Sequence, residues 1–163
     1  MTEARGPITT YRKEIRAGLL SLGVPVIVIG GWALLAPRNW YDNFPVDSAH
    51  WISSLGAYQE HLVRDFGSLY LALGLLLLFA GVVLDRLLVQ SVLGASLVFQ
   101  VPHLIFHAAN TEPFSAANNA VNLGLLAVGL LVTVMLLRMS TRQEPRPAAE
   151  PQAIEGGIGY GTR

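Results

Sequence analysis

The sequence contains no cysteine among its 163 residues. This absence excludes a disulfide framework, a thiolate zinc site, a cysteine nucleophile and a covalently attached c-type haem. Any metal ligand in this chain must therefore come from other side chains, above all from histidines and carboxylates.

Charged residues are also scarce. They make up 13% of the chain, whereas hydrophobic residues make up 52%, and an average soluble domain carries about 25% charged residues. The 11 basic and 11 acidic residues cancel, and the basic ones lie mainly near the chain ends without forming a basic face with interleaved aromatic rings. Nucleic acid is therefore not an expected partner. The composition predicts one small integral membrane protein.

Four apolar runs are long enough to cross a bilayer, which takes about 20 residues of helix. They cover residues 17–36, 66–84, 87–109 and 117–137. Only Asp85 and Arg86 separate the second run from the third, so these two helices must form an antiparallel pair. The first run is longer than the apolar region of a signal peptide and is predicted to be a retained anchor. We predict an all-α fold, an integral membrane four-helix bundle over residues 17–137.

Basic residues flank this membrane domain. They are Arg5, Arg12, Lys13 and Arg16 before the first span, and Arg138, Arg142 and Arg146 after the last. The positive-inside tendency predicts a cell-membrane protein with a cytoplasmic N-terminal segment, 1–16, and a cytoplasmic tail, 138–163. The tail has few large apolar residues to bury and is predicted to be disordered. The loop 37–65 then faces outward, and its aromatic residues indicate an interfacial lid.

Polar side chains recur with helical spacing at the outward ends of three spans. His61 and Asp65 are four residues apart on the second span, and Gln100, His103, His107 and Asn110 follow steps of three, four and three on the third. Asn118 and Asn122 lie one turn apart on the fourth span. Because ionisable groups facing lipid are costly, we expect these side chains to line an outward-facing polar pocket.

One interpretation of this pocket is a metal site. The pairs His61/Asp65 and His103/His107 offer three nitrogens and a carboxylate, a ligand set suited to zinc or iron. Glu60, Gln100 or an asparagine would then orient the ligands. A haem held by two of the three histidines, with Arg64 near a propionate, ranks below a divalent transition metal.

The alternative interpretation is packing, and it carries about equal weight. In it, His103 and His107 hydrogen-bond Asp65, Asn110 or Asn118 and hold the helices in register. Glu60 and Arg64 fit an i,i+4 ion pair at the headgroup boundary better than a catalytic role. Gly67, Gly74 and Gly81 recur every seven residues and predict a close contact with another helix of the bundle, or else a homodimer interface.

Two classes of function remain open on the sequence alone. A metal with an open coordination position would give a membrane enzyme acting on an amphipathic substrate from the outer leaflet. The other class is non-enzymatic: ligand binding, a proton relay, or an accessory subunit of a cell-envelope membrane complex. Membrane lipids and an amphipathic small molecule are expected partners in the first class, and a membrane-complex partner in the second.

Three motifs carry a resemblance to a known group of proteins. PRNWYDNFP, HWISSLGAYQEHLVRDFGSLYLAL and VPHLIFHAAN resemble a family of small multi-pass membrane proteins from actinobacteria, with the patterns FYxxFP, YNEHLxRDxG and PHxxxH. The resemblance covers residues 37–110, and Gln59 stands where the pattern has Asn. The family has no established activity, so the resemblance implies a multi-pass membrane fold and no reaction.

Overall fold

A computed structural model describes residues 6–47 and 49–142. The helices are α1 (Arg12–Leu35), α2 (Pro37–Asn43), α3 (Glu60–Val83), α4 (Arg86–Ala109) and α5 (Ala116–Thr141). All of these described elements are helical, and α1, α3, α4 and α5 are each long and apolar enough to span a membrane. The predicted all-α four-helix bundle is confirmed, and its four long apolar helices are compatible with the predicted multi-pass architecture.

The four long helices extend further than the apolar runs from which they were predicted. α1 begins at Arg12 and α3 at Glu60, and α5 continues to Thr141. Polar residues at these ends keep the backbone hydrogen bonds of the helix while their side chains reach toward water. The predicted cytoplasmic segments 1–16 and 138–163 are therefore partly helical, and the predicted disorder from residue 143 onward lies outside the described residues.

Glycines bring α1 and α3 into backbone contact. A Cβ atom added to Gly30 would lie 2.4 Å from the Leu71 nitrogen, and one added to Gly67 would lie 2.5 Å from the Leu34 nitrogen. Both distances are shorter than a van der Waals contact, so only glycine permits this approach. The seam predicted from Gly67 and its repeats is a contact within the bundle, and α1 of the same chain already covers it.

One end of the bundle is formed by the N-terminal segment, the α3–α4 turn and the end of α5; we call it the turn end. The Ile8 amide donates to the Leu84 carbonyl at 2.8 Å, and the Arg86 amide donates to the Gly6 carbonyl at 3.0 Å. Asp85 caps α4 by accepting from the Leu88 amide at 3.0 Å. Buried aliphatic side chains from α1, α3, α4 and α5 fill the core at this end.

The opposite end, which we call the loop end, is formed by the connections 36–59 and 110–115. There α2 lies against α1 and α3, and Ala33, Trp40 and Val63 are buried among partly buried aromatic side chains. Arg64 closes this end of α1, because its Nη1 donates to the Leu34 carbonyl at 2.6 Å. The polar side chains singled out in the sequence are located at the loop end.

Candidate functional site

The most buried polar contact at the loop end joins α4 to α5. Asn122 Nδ2 donates to His107 Nδ1 across 2.9 Å, and both residues are 7% exposed. An amide NH₂ group can only donate, so His107 Nδ1 accepts and a neutral ring carries its proton on Nε2. This contact fixes the orientation of the His107 ring.

His103 lies one turn before His107 on the same face of α4. Its ring centroid is 4.7 Å from that of His107 in an edge-on arrangement, and it stacks on Phe99 at 4.9 Å. Its neighbours within the described chain contact it through rings, and the ring is only partly buried. His103 is therefore held by packing, and none of the described residues forms a hydrogen bond with its nitrogens.

A closed series of ring contacts runs through the loop end, and we call it the ring layer. In order, its members are Trp40, Phe66, Phe99, His103, His107, Phe114, Trp51 and Phe44, with successive centroids 4.7 to 6.5 Å apart. Each aromatic pair contributes about 0.5–1.5 kcal/mol beyond its buried area. The ring layer joins α2, α3, α4 and both loops around the two histidines.

Three buried polar atoms at the loop end have no hydrogen-bond partner within the described chain. They are Trp40 Nε1, Trp51 Nε1 and Gln100 Oε1. Trp40 is 5% exposed and Trp51 is 7% exposed, and Gln100 lies one helical turn before His103. An unsatisfied buried donor or acceptor costs about 1–3 kcal/mol. The hydrogen-bonding capacity of these three atoms is thus unused within the described residues.

The pair His61/Asp65 lies apart from this layer. His61 Nε2 is 3.3 Å from Asp65 Oδ2, but the two side chains are 86% and 55% exposed. The neighbouring pair Glu60/Arg64 is confirmed as an i,i+4 ion pair, with 2.8 Å between Arg64 Nη2 and Glu60 Oε1. Exposed pairs of this kind contribute little to stability. Both belong to the surface of the loop end.

The structure does not bring the four predicted metal ligands together. His61 and Asp65 form one pair and His103 and His107 another, and within residues 6–47 and 49–142 no group of three or more His, Cys, Asp or Glu side chains could hold a metal ion. The reason is the rotation of α3, which turns Phe66 toward α4 and leaves His61 and Asp65 outside. His103 and His107 contact each other, so these two rings leave no room for a haem between them.

The remaining predicted polar residues mostly serve helix ends. Asn110 Nδ2 donates to the Phe106 carbonyl at 2.8 Å. Asn118 lies in the first turn of α5, where its backbone N–H donates to the capping Ser115 Oγ at 3.2 Å. The packing interpretation expected Asp65, Asn110 or Asn118 to bind the histidines, and that expectation is wrong for His107, whose partner is Asn122. Sequence reasoning missed the ring layer; its signal was the aromatic density of the 37–59 loop.

Both arginines of the loop end that the structure describes have carboxylate partners. Arg64 pairs with Glu60, and Arg38 Nε donates to Asp42 Oδ2 at 2.7 Å. The hydrogen bond to Asp42, followed by its charge, raises the pKa of Arg38 above its ordinary value. The Arg38 guanidinium also lies 5.0 Å from the centre of the Tyr58 ring. Positive charge at this end is thus locally neutralised.

Comparisons with known proteins give no further constraint on this site: no family model, no curated protein and no solved structure matches the chain. The motif resemblance to small actinobacterial membrane proteins stays a prediction.

Proposed function

We propose that this protein lies in the cell membrane with its termini in the cytoplasm and binds an amphipathic molecule at the ring layer. Gln100, His103 and the two unpartnered indoles would be the hydrogen-bonding contacts. The orientation is supported by basic residues at the turn end. Arg12, Lys13 and Arg16 lie in the first turns of α1, Arg138 lies in the last turn of α5, and Arg142 directly follows α5. Under the positive-inside tendency the loop end then faces outward.

The observation that carries the proposal is the set of unpartnered buried atoms, Trp40 Nε1, Trp51 Nε1 and Gln100 Oε1. An unsatisfied buried donor or acceptor carries a cost, and a bound molecule that supplies the missing partner would offset it. The three atoms share the loop end with His103, whose nitrogens have no hydrogen-bond partner among the described residues. Hydrogen-bond donors, an acceptor and an imidazole are the kinds of group that bind a small polar head group.

Ligand binding is better supported than catalysis at this site. His107 is engaged by Asn122, and the His61/Asp65 pair is exposed at the surface of α3. A general base must lie within hydrogen-bonding reach of the proton it removes. His107 already binds Asn122, and His61 already pairs with Asp65. His103 alone is placed to meet a bound molecule, and a single imidazole among aromatic rings is a contact for a ligand.

The proposal is tested by replacing Gln100 with leucine, which keeps the side-chain volume and removes the buried acceptor. If a molecule binds there, wild-type protein extracted gently should carry a bound amphiphile, and Gln100→Leu should lose both the amphiphile and thermal stability. If nothing binds there, the substitution removes an unsatisfied atom and should raise stability. Native mass spectrometry and thermal unfolding in detergent measure the two quantities.

The control is Gln90→Leu on the same helix. Gln90 Nε2 lies 3.4 Å from the Ser140 carbonyl at the turn end, far from the ring layer. This variant should keep the bound amphiphile. Loss of the amphiphile from both variants would overturn the assignment of the site to the loop end.

A further inference from the structure

An apolar groove lies between α3 and α4 and meets the ring layer. Phe66, Leu69, Tyr70, Leu73 and Phe99 line it, and its volume is about 220 Å³. Phe66 and Phe99 belong to the ring layer as well, and Phe99 stacks directly on His103. The groove therefore lies beside the ring layer and shares two side chains with it.

We propose that this groove holds the hydrocarbon chain of a membrane lipid that has one chain and an uncharged, hydroxyl-bearing head. The head contacts Gln100 and His103, and the chain lies against Phe66, Tyr70 and Phe99. The inference rests on the proposed function and deepens it by naming the class of ligand.

The size and opening of the groove favour a chain over a complete ligand. Pockets that enclose a whole small molecule measure about 300–1,000 Å³, so a groove of about 220 Å³ accommodates only part of one. Leu69, on its rim, is 73% exposed on a helix of membrane-spanning length, so the groove is open to the hydrocarbon layer. A lipid can therefore enter sideways without leaving the bilayer.

The charge of the loop end favours an uncharged head. Proteins bind phosphate groups with arginine and lysine, and the two arginines described at this end are paired with Asp42 and Glu60. What the loop end offers instead are two indole N–H donors and the amide acceptor of Gln100. A hydroxyl group both donates and accepts, so it can satisfy groups of both kinds.

The test uses full-length protein in an uncharged detergent, with geranylgeraniol and geranylgeranyl phosphate as probes. Native mass spectrometry measures the dissociation constant of each probe. Leu69→Trp fills the groove from its rim. Its matched control is Leu75→Trp, because Leu75 is 54% exposed on the same helix and does not line the groove. Both substitutions lie on the lipid-facing surface, where a larger side chain does not disturb the packing of the core.

We expect Leu69→Trp to weaken geranylgeraniol binding about tenfold, which corresponds to about 1.4 kcal/mol, and Leu75→Trp to leave it unchanged. We also expect the alcohol to bind more tightly than the phosphate. If the phosphate binds more tightly, the uncharged head is refuted. If His103→Phe weakens binding and Leu69→Trp does not, the groove assignment fails while the proposed function stands. If none of the variants alters binding, the groove assignment and the proposed function are both overturned.

Discussion

Asn122 and His107 form a hydrogen bond across the α4–α5 interface, 2.9 Å long, and both side chains are almost completely buried. Burying an unpaired imidazole among apolar side chains would cost free energy. The hydrogen bond from Asn122 offsets that cost and fixes the tautomer and the ring plane of His107. Since His107 also touches His103, the asparagine on α5 indirectly positions the histidine that faces the proposed ligand.

Removing this hydrogen bond should destabilise the bundle. Asn122→Ala leaves His107 Nδ1 buried and unsatisfied, and we expect a loss of about 1 kcal/mol, near the lower bound for such groups because interhelical hydrogen bonds in membranes are modest. Asn118→Ala, one turn earlier, is the control and should cost less. The free energy of unfolding in mixed detergent measures both. Equal losses would contradict the role given to Asn122.

The α1–α3 seam allows a sharper comparison between two adjacent glycines. Gly30→Ala would place its Cβ 2.4 Å from the Leu71 nitrogen, whereas a Cβ on Gly31 meets nothing within 4 Å. We expect Gly30→Ala to cost about 1–3 kcal/mol because the backbones must separate. Gly31→Ala should be neutral or stabilising by up to about 1 kcal/mol, owing to helix propensity. If the two variants lower the unfolding midpoint equally, the close contact between α1 and α3 at Gly30 is refuted.

The fold was predictable from the sequence where the signal is local. Each correct prediction depends on one helix or one turn. The apolar runs and the glycine repeat predict single helices, and the two-residue gap at Asp85 and Arg86 predicts one turn. The Glu60–Arg64 pair follows from helical spacing alone. The site was less predictable, because periodicity relates residues on one helix without giving the rotation of that helix in the bundle. Hence His61 and Asp65 share a face, as predicted, but that face points away from α4.

The same limit applies to the contacts of the loop. Its aromatic residues were expected at the membrane interface, and several of them, Trp40 and Trp51 among them, join the ring layer. Their partners Phe66 and Phe114 come from distant parts of the chain. No local sequence pattern could predict these contacts between distant residues. Helix packing likewise determines that His107 contacts Asn122 and not Asn118.

Metal analysis tests the histidine pairs independently of any lipid. Because His61/Asp65 and His103/His107 lie apart, we expect elemental mass spectrometry to find equal zinc and iron contents in wild type and in the His103→Ala/His107→Ala double variant. Stoichiometric metal in the wild type that disappears from the double variant would contradict this, and would mean that α3 rotates to bring the two pairs together.

The absence of native cysteine gives a clean test of orientation. In Ser54→Cys the new thiol lies at the loop end, and in Thr141→Cys it lies at the turn end; both parent residues are exposed. With the termini in the cytoplasm, a membrane-impermeant maleimide should label Ser54→Cys in intact cells and Thr141→Cys only after permeabilisation. The reverse pattern would show that the loop end faces inward.

The central claim concerns the indole groups of Trp40 and Trp51, and the chain contains an internal control for them. Of its 3 tryptophans, Trp32 already donates from Nε1 to Asn39 Oδ1 at 2.8 Å. The most direct measurement is therefore a ¹H–¹⁵N spectrum of the indole N–H groups in detergent micelles, titrated with geranylgeraniol. The account predicts that the Trp40 and Trp51 resonances shift downfield while that of Trp32 stays in place. Unchanged Trp40 and Trp51 resonances at saturating alcohol would contradict it.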